Sequence, residues 1–152
     1  LFCGVGNFTL PLARSGARAI GIEGSEDAVS MAKANAQLNQ VGDKTGFFVA
    51  DLYKDMDEQQ RAQAREAMDQ FGHPPQALLL DPPRSGAGAN LAWWVSQLEV
   101  AKIVYVSCNP ATFALDAQIL NDLGYVLTEV GVYDMFPGTA HVETMGLFER
   151  AH

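Results

Sequence analysis

An α/β fold with a mainly parallel sheet and helices on both faces is predicted for this 152-residue chain from two features of its pattern. Short apolar runs alternate with helical stretches along most of its length, the order that builds a parallel sheet. At the end the alternation stops: "YVLTEVGVYDMF" and "HVETMGLFER" are joined only by "PGTA", too short for a crossover helix, so these two strands should pair antiparallel. With 48% hydrophobic residues the chain fits one compact domain with a sizeable core, and no second domain is expected.

The elements follow in order. Leu1 to Cys3 reads as the end of a strand, with a helix from about Asn7 to Ser15. "ARAIGIEG" is a second strand, and Ser25, followed by Glu26 and Asp27, caps the helix "AVSMAKANAQLNQ". "GFFVAD" is the third strand. The stretch from Lys54 to Gln70, rich in Glu, Gln, Arg and Ala, is a solvated helix whose charges carry no function. "QALLLD" is a buried fourth strand and "KIVYVSC" a fifth; "PATFALDAQILNDLG" is a helix started by Pro110 and stopped by Gly124. Neither repeats nor low-complexity tracts nor linkers stand out. The chain opens on "LFCGVG" without a methionine, as if within a strand, and a fragment of a longer protein is expected.

Eighteen acidic against ten basic residues give a net charge of −8, and Lys and Arg are absent between Ile103 and Glu149. That balance argues against this piece alone gripping a polyanion through phosphate contacts. Two cysteines 105 positions apart form neither a metal-type spacing nor a disulfide framework, so a reducing, cytoplasmic compartment and no metal site are expected. No signal peptide or membrane span is read.

In sheets of this kind ligands sit beyond the carboxyl ends of the parallel strands, and the polar residues fall there repeatedly. The first strand ends in "CGVGN", the second in Glu23, the third in Asp51, the fourth in Asp81 and the fifth in Cys108. Gly4 and Gly6 allow close backbone approach to a ligand, and equally make a plain tight turn. Glu23 is placed to accept both hydroxyls of a ribose, or is a solvated charge. Asp51 is a partner for an adenine amino group or a turn residue. After Asp81, Pro82 and Pro83 stiffen the loop and remove two donors, which suits rigid placement of a polar group. Cys3 reads as a small core residue, His141 as a packing or turn residue, and His73 and His152 as exposed.

Cys108 differs from Cys3. It closes a buried strand and directly precedes a helix amino end, where orphan amides and the helix dipole favour an anion, so its pKa should be lowered and its thiolate available as a nucleophile. Because the last strand runs back from the hairpin, Glu143 starts at the edge where Cys108 ends its strand, and the two should meet although 35 positions apart.

"LFCGVGNFTLPLA", "GIEGSEDAV", "LLLDPPRSGA", "VYVSCNPAT" and "DMFPGTAHVETMGLF" together resemble the catalytic domain of the RNA 5-methyluridine methyltransferases, over essentially the whole chain. The glycine-loop and hairpin versions are most similar to the ribosomal-RNA branch of that family rather than its transfer-RNA branch. The resemblance implies a Rossmann-like, class I S-adenosylmethionine-dependent fold with seven strands, the first cut short. It implies that Cys108 attacks carbon-6 of uracil and that Glu143 removes the carbon-5 proton. Phe2, Gly4, Gly6, Asn7, Glu23, Asp51 and Asp81 become cofactor-binding, with Glu23 at the ribose and Asp81 near the methionine moiety and the base. The partner implied is RNA, presented flipped or unpaired, to a monomer that does not engage membranes. The OB-like RNA-binding domain and the four-cysteine iron–sulfur site of the family's ribosomal-RNA enzymes have no counterpart in these residues, so an iron–sulfur cluster would belong to a region outside them.

Two rivals remain at this stage. An amino-methylating enzyme of the same fold would place an aromatic residue after the two prolines, where this chain has Arg84, and would have no use for Cys108. A non-catalytic cofactor- or RNA-binding module would not require Cys108 together with Glu143.

Overall fold

A computed structural model describes residues 1–54, 56–69, 72–135, 137–139 and 142–151. The chain forms two compact units, Leu1–Pro74 and Pro75–His152.

The first unit contains helix α1 (Thr9–Arg14), strand β1 (Ala19–Glu23), helix α2 (Glu26–Leu38), strand β2 (Thr45–Val49) and helix α3 (Glu58–Met68). β1 and β2 pair in parallel, from Ala19 opposite Thr45 to Glu23 opposite Val49. Ser25 caps α2 as expected, its hydroxyl accepting from the Ala28 amide at 3.2 Å, which satisfies one of the helix's orphan donors. The buried stripe Val29, Ala32 and Ala36 of α2 packs with Ala13, Val41 and Phe47, and Cys3 and Leu10 lean on this cluster. Small residues on α2 let the helix lie close to the two-stranded sheet.

The second unit contains β3 (Ala77–Leu80), α4 (Leu91–Leu98), β4 (Lys102–Ser107), α5 (Pro110–Asp122), β5 (Tyr125–Tyr133) and β6 (Glu143–Arg150). Its strands lie in the order β3-β4-β6-β5. β3 and β4 are parallel; β6 is antiparallel to both neighbours. One face of this sheet is dry: Leu80, Ile103, Tyr105 and Phe148 are buried, and Phe113 of α5 stacks edge-on to Tyr105 and tilts against Phe148. Tyr125, also buried, donates its hydroxyl to the Val100 carbonyl at 2.7 Å, the partner that a buried phenol requires. Both tryptophans of the chain lie in α4, with Trp94 buried and its indole N–H without a hydrogen-bond partner.

The α/β class and the parallel-then-antiparallel order hold, with four corrections. The strands fall into two sheets of two and four rather than one of seven, and Leu1 to Cys3 is not a strand, although the Cys3 amide reaches the Ile22 carbonyl at 3.2 Å. Helix α4 goes unread in the sequence because "LAWWVSQL" spans only eight residues, about two turns, too short a run for its buried spacing of Leu91, Trp94, Val95 and Leu98 to stand out. The hairpin strands end at Tyr133 and restart at Glu143, so the connection is longer than "PGTA"; Phe136, Ala140 and His141 lie outside the described residues. His152 does too, whereas His73 is exposed as expected.

Gly146 of β6 shows how tightly α5 seats on the sheet. A Cβ there would come within 2.7 Å of Phe113 Cζ and 3.0 Å of Leu127 Cδ1. Gly146→Ala should therefore destabilise the second unit by about 1–3 kcal/mol through overpacking. The check is urea denaturation, with a lower midpoint at unchanged m-value as the expected outcome.

Candidate active site

In the first unit the residues singled out from the sequence cluster where β1 and β2 end. Gly4 and Gly6 both adopt positive φ, +51° and +96°, a conformation that side chains disfavour. A Cβ on Gly6 would press on Leu10 at 3.0 Å, whereas open space faces Gly4. The loop is held from two sides. Asn35 of α2 donates its amide to the Val5 carbonyl at 3.1 Å, and the Gly4 amide donates to Glu23 Oε2 at 3.0 Å. The other oxygen of Glu23 accepts the amides of Gly24 and Ser25 at 2.7 and 3.1 Å. The Glu23 carbonyl in turn accepts the Ala50 amide at 3.0 Å, which brings Asp51 alongside.

Asp51 is exposed. It closes a turn onto the Tyr53 amide at 3.0 Å and pairs with Lys54 at 3.0 Å; the Lys54 hydrogen bond, then the Tyr53 amide, hold its carboxyl below the usual range. Phe2 sits in the left-handed region at φ 59°, a costly conformation for a bulky residue, and its ring lies 5.5 Å from that of Tyr53. Asn7 is exposed. Cys3 is a core thiol, pushed up to about 11 first by its burial.

These residues fit a nucleoside-bearing cofactor. A glycine with open space before it, a carboxylate at the next strand end and a second acid beside that one are what adenosine and its ribose require.

In the second unit the register of β4 fixes the arrangement. Leu80 pairs with Tyr105, and Ser107 with Thr144, so Asp81 and Cys108 each follow the last paired residue of their strand, and Glu143, paired with Tyr133, is the first residue of β6 at the same end of the sheet. All three are half-buried. Cys108 directly precedes Asn109, the N-cap of α5, whose Oδ1 accepts the Ala111 amide at 3.1 Å. Ser107 tightens the turn, its Oγ accepting the Asn109 amide at 3.1 Å and donating to the Asn109 carbonyl at 3.0 Å. The Asp81 loop is tied to this turn: Asn109 Nδ2 donates to the Arg84 carbonyl at 2.9 Å, and the Thr112 hydroxyl lies 3.1 Å from it. Ser107, Asn109, Thr112 and Asp116 escape a reading of sequence because they act through backbone atoms. The one visible signal is Asp116, an acid on the apolar stripe of α5 beside Phe113 and Leu120.

The fold defines a class before it defines a family. The structure matches, over 99% of this chain with a TM-score of 0.67 at 21% identity, magnesium protoporphyrin IX methyltransferase from Synechocystis with bound SAM, a likeness that establishes the Rossmann-like methyltransferase fold. The family model for tRNA (uracil-5-)-methyltransferase matches residues 1–151, and the chain belongs to that family. Among its relatives, it is 52% identical over 151 residues to the 23S rRNA (uracil(1939)-C(5))-methyltransferase RlmD of Hahella chejuensis and 46% identical to that of Shewanella amazonensis. The solved tRNA (uracil-54, C5)-methyltransferase of Pyrococcus abyssi, in complex with S-adenosyl-L-homocysteine, superposes on 97% of the chain with a TM-score of 0.77 at 32% identity. The chain covers 99% of itself but 32% of the Hahella relative, and 32% of the Pyrococcus chain; it thus spans about a third of their length.

Asp81 carries the electrostatic signature of the edge. Burial, and then the Glu143 carboxylate, hold its carboxyl above the ordinary range. The folded state therefore keeps the Asp81 proton more firmly than the unfolded chain does. Its contribution to stability is fullest below the ordinary carboxylate pKa and is lost as pH rises through the elevated value. Asp81→Asn, which removes the ionised form, should raise the urea midpoint near about pH 8 and converge on wild type near about pH 4. A wild-type protein that is the more stable of the two at the higher pH would contradict this assignment.

Proposed function

We propose that the protein containing this chain transfers a methyl group from S-adenosylmethionine to carbon-5 of a uridine in RNA, with ribosomal RNA as the favoured substrate. The observation that supports the reading is the β4–β6 register, whose last pair, Ser107 with Thr144, is flanked by Cys108 just after β4 and by Glu143 in β6, in a chain matched by the uracil-5 methyltransferase model over residues 1–151. Ribosomal RNA is favoured by the stronger likeness to relatives named for 23S rRNA, 52% and 46% identical against 32% for the transfer-RNA enzyme. The amino-methylation rival fares worse, since Arg84 follows the two prolines.

In this reading Glu23 holds the cofactor ribose, Asp51 the adenine amino group, and Gly4 and Gly6 admit it closely, flanked by Phe2 and Asn7; Asp81 serves the methionine end. When bound, S-adenosylmethionine supplies an electrophilic methyl group. Carbon-5 of uracil is a weak nucleophile, and the Cys108 thiolate corrects this by forming a bond to carbon-6, which pushes the ring electrons onto the carbon-4 carbonyl as an enolate. Carbon-5 of that enolate takes the methyl group. Glu143 then removes the remaining carbon-5 proton, the ring double bond re-forms, and the Cys108 sulfur leaves as thiolate.

The two residues act in sequence, so they separate experimentally. In the full-length protein Glu143→Gln should attack and methylate but fail to eliminate, accumulating a covalent protein–RNA species that carries label from methyl-labelled cofactor on a denaturing gel. Adding Cys108→Ala should abolish that band. Normal turnover by Glu143→Gln would assign proton removal elsewhere.

Glu23 gives an independent test. Its three amide hydrogen bonds leave little spare acceptor capacity on a carboxylate with about four lone-pair sites, so ribose binding would draw on the same oxygens that position the glycine loop. Glu23→Ala should weaken cofactor binding about tenfold or more, as expected for losing a charge-assisted bond of about 1.5–3 kcal/mol. Calorimetric titration reads this directly, and unchanged affinity would refute the placement.

A further inference from the structure

We infer that Asp116, which the proposed chemistry does not use, is the positioning residue that fixes the Asp81 loop against the Cys108 turn; this rests on the uracil-5 methylation reading. Asp116 is a carboxylate on the buried face of α5, 5% exposed. Acids are almost never buried this far without partners, and here one oxygen, Oδ2, takes two. It accepts the Ala87 amide at 2.7 Å and the hydroxyl of Tyr105, on β4 two residues before Ser107. A third approach is shaped to the same atom: a Cβ on Gly86, at φ +84°, would stand 2.7 Å from it.

These contacts join three pieces of chain. Ala87 follows the Asp81-Pro82-Pro83-Arg84 loop, which the Gly86 amide closes onto the Pro83 carbonyl at 2.9 Å. Tyr105 belongs to the strand that delivers Cys108. Asp116 itself lies two turns into the helix whose N-cap is Asn109. On the solvent side, Asn109 and Thr112 grip the Arg84 carbonyl. The loop is thus fastened at Arg84 by polar side chains and at Ala87 by Asp116, while Pro82 and Pro83 stiffen it and have no amide to donate. Both fastenings tie the loop that carries Asp81 to the helix that follows Cys108. Asp116 touches none of the proposed reacting groups, and its effect is on orientation.

The test uses the full-length protein and RNA carrying 5-fluorouridine, which traps the Cys108 adduct. For Asp116→Ala the adduct rate constant at saturating RNA should fall about tenfold or more, a loss typical of misplaced reacting groups. The dissociation constants for RNA and for S-adenosylhomocysteine should stay near wild type. A change confined to stability would leave that rate constant untouched in the folded fraction. Asp116→Asn keeps an acceptor oxygen for Ala87 and should restore most of the rate; an Asn variant as slow as Ala would overturn a role in geometry. Should Asp116→Ala not fold, Gly86→Ala perturbs the same contact from the loop side and should slow the adduct similarly. A folded Asp116→Ala or Gly86→Ala that matches the wild-type rate overturns the inference. Failure of the wild-type protein to form any adduct would count instead against the proposed reaction.

Discussion

Strand β4 lies between a parallel neighbour, β3, and an antiparallel one, β6, and its register with both is the constraint on which the second unit depends. Side chains alternate along a strand, so a slip of one residue would turn every side chain of β4 to the opposite face. Ile103, Tyr105 and Ser107 would leave the dry side under α5, and Lys102 and Val104 would enter it. Burial of Tyr105 and Phe148 against Phe113 makes that slip prohibitively costly. The position of Cys108 beside Glu143 is inherited from this packing rather than from any direct attraction between the two.

The edge so formed works against electrostatics. Asp81 and Glu143 share it, and the Glu143 carboxylate adds to burial in holding the Asp81 carboxyl above its ordinary range. Two carboxylates placed near each other disfavour each other's ionisation, and such strain is characteristic of sites shaped by function rather than by stability. The hydrogen bonds around the Arg84 carbonyl and Asp116 hold the loop in place against that cost. Those to the Arg84 carbonyl and from the Ala87 amide engage main-chain atoms of the loop, away from the Asp81 and Glu143 carboxylates.

Much of this was legible in the sequence. Alternating elements gave the α/β class, and strand-end positions picked out Glu23, Asp51, Asp81 and Cys108, because where a strand ends is a local property marked by Gly, Pro and acids. The antiparallel return of β6 followed from the absence of room for a crossover helix. What stayed hidden depends on contacts between segments. The Gly4–Glu23 bond joins residues 19 apart and the Ala87–Asp116 bond residues 29 apart, and neither residue type announces a distant partner. Division into two sheets was hidden for the same reason, since pairing is not written in the period of any one strand. α4 stayed hidden because it is short: eight residues carry the spacing Leu91, Trp94, Val95 and Leu98 only once, which a short apolar run does not separate from a strand.

The placement of both tryptophans in α4 makes the chain's intrinsic fluorescence a local reporter. Trp93 and Trp94 meet edge-on with ring centroids 4.9 Å apart, and the indole N–H of Trp94 lacks a partner, at a cost of about 1–3 kcal/mol for an unsatisfied buried donor. Leu1–Pro74 contains no tryptophan, so all tryptophan emission originates in the unit that carries Cys108. Circular dichroism sees the helices of both. Coincident transitions by the two methods would mark a single cooperative fold, whereas separated ones would mean that the two halves of this enzyme-like chain melt as independent bodies.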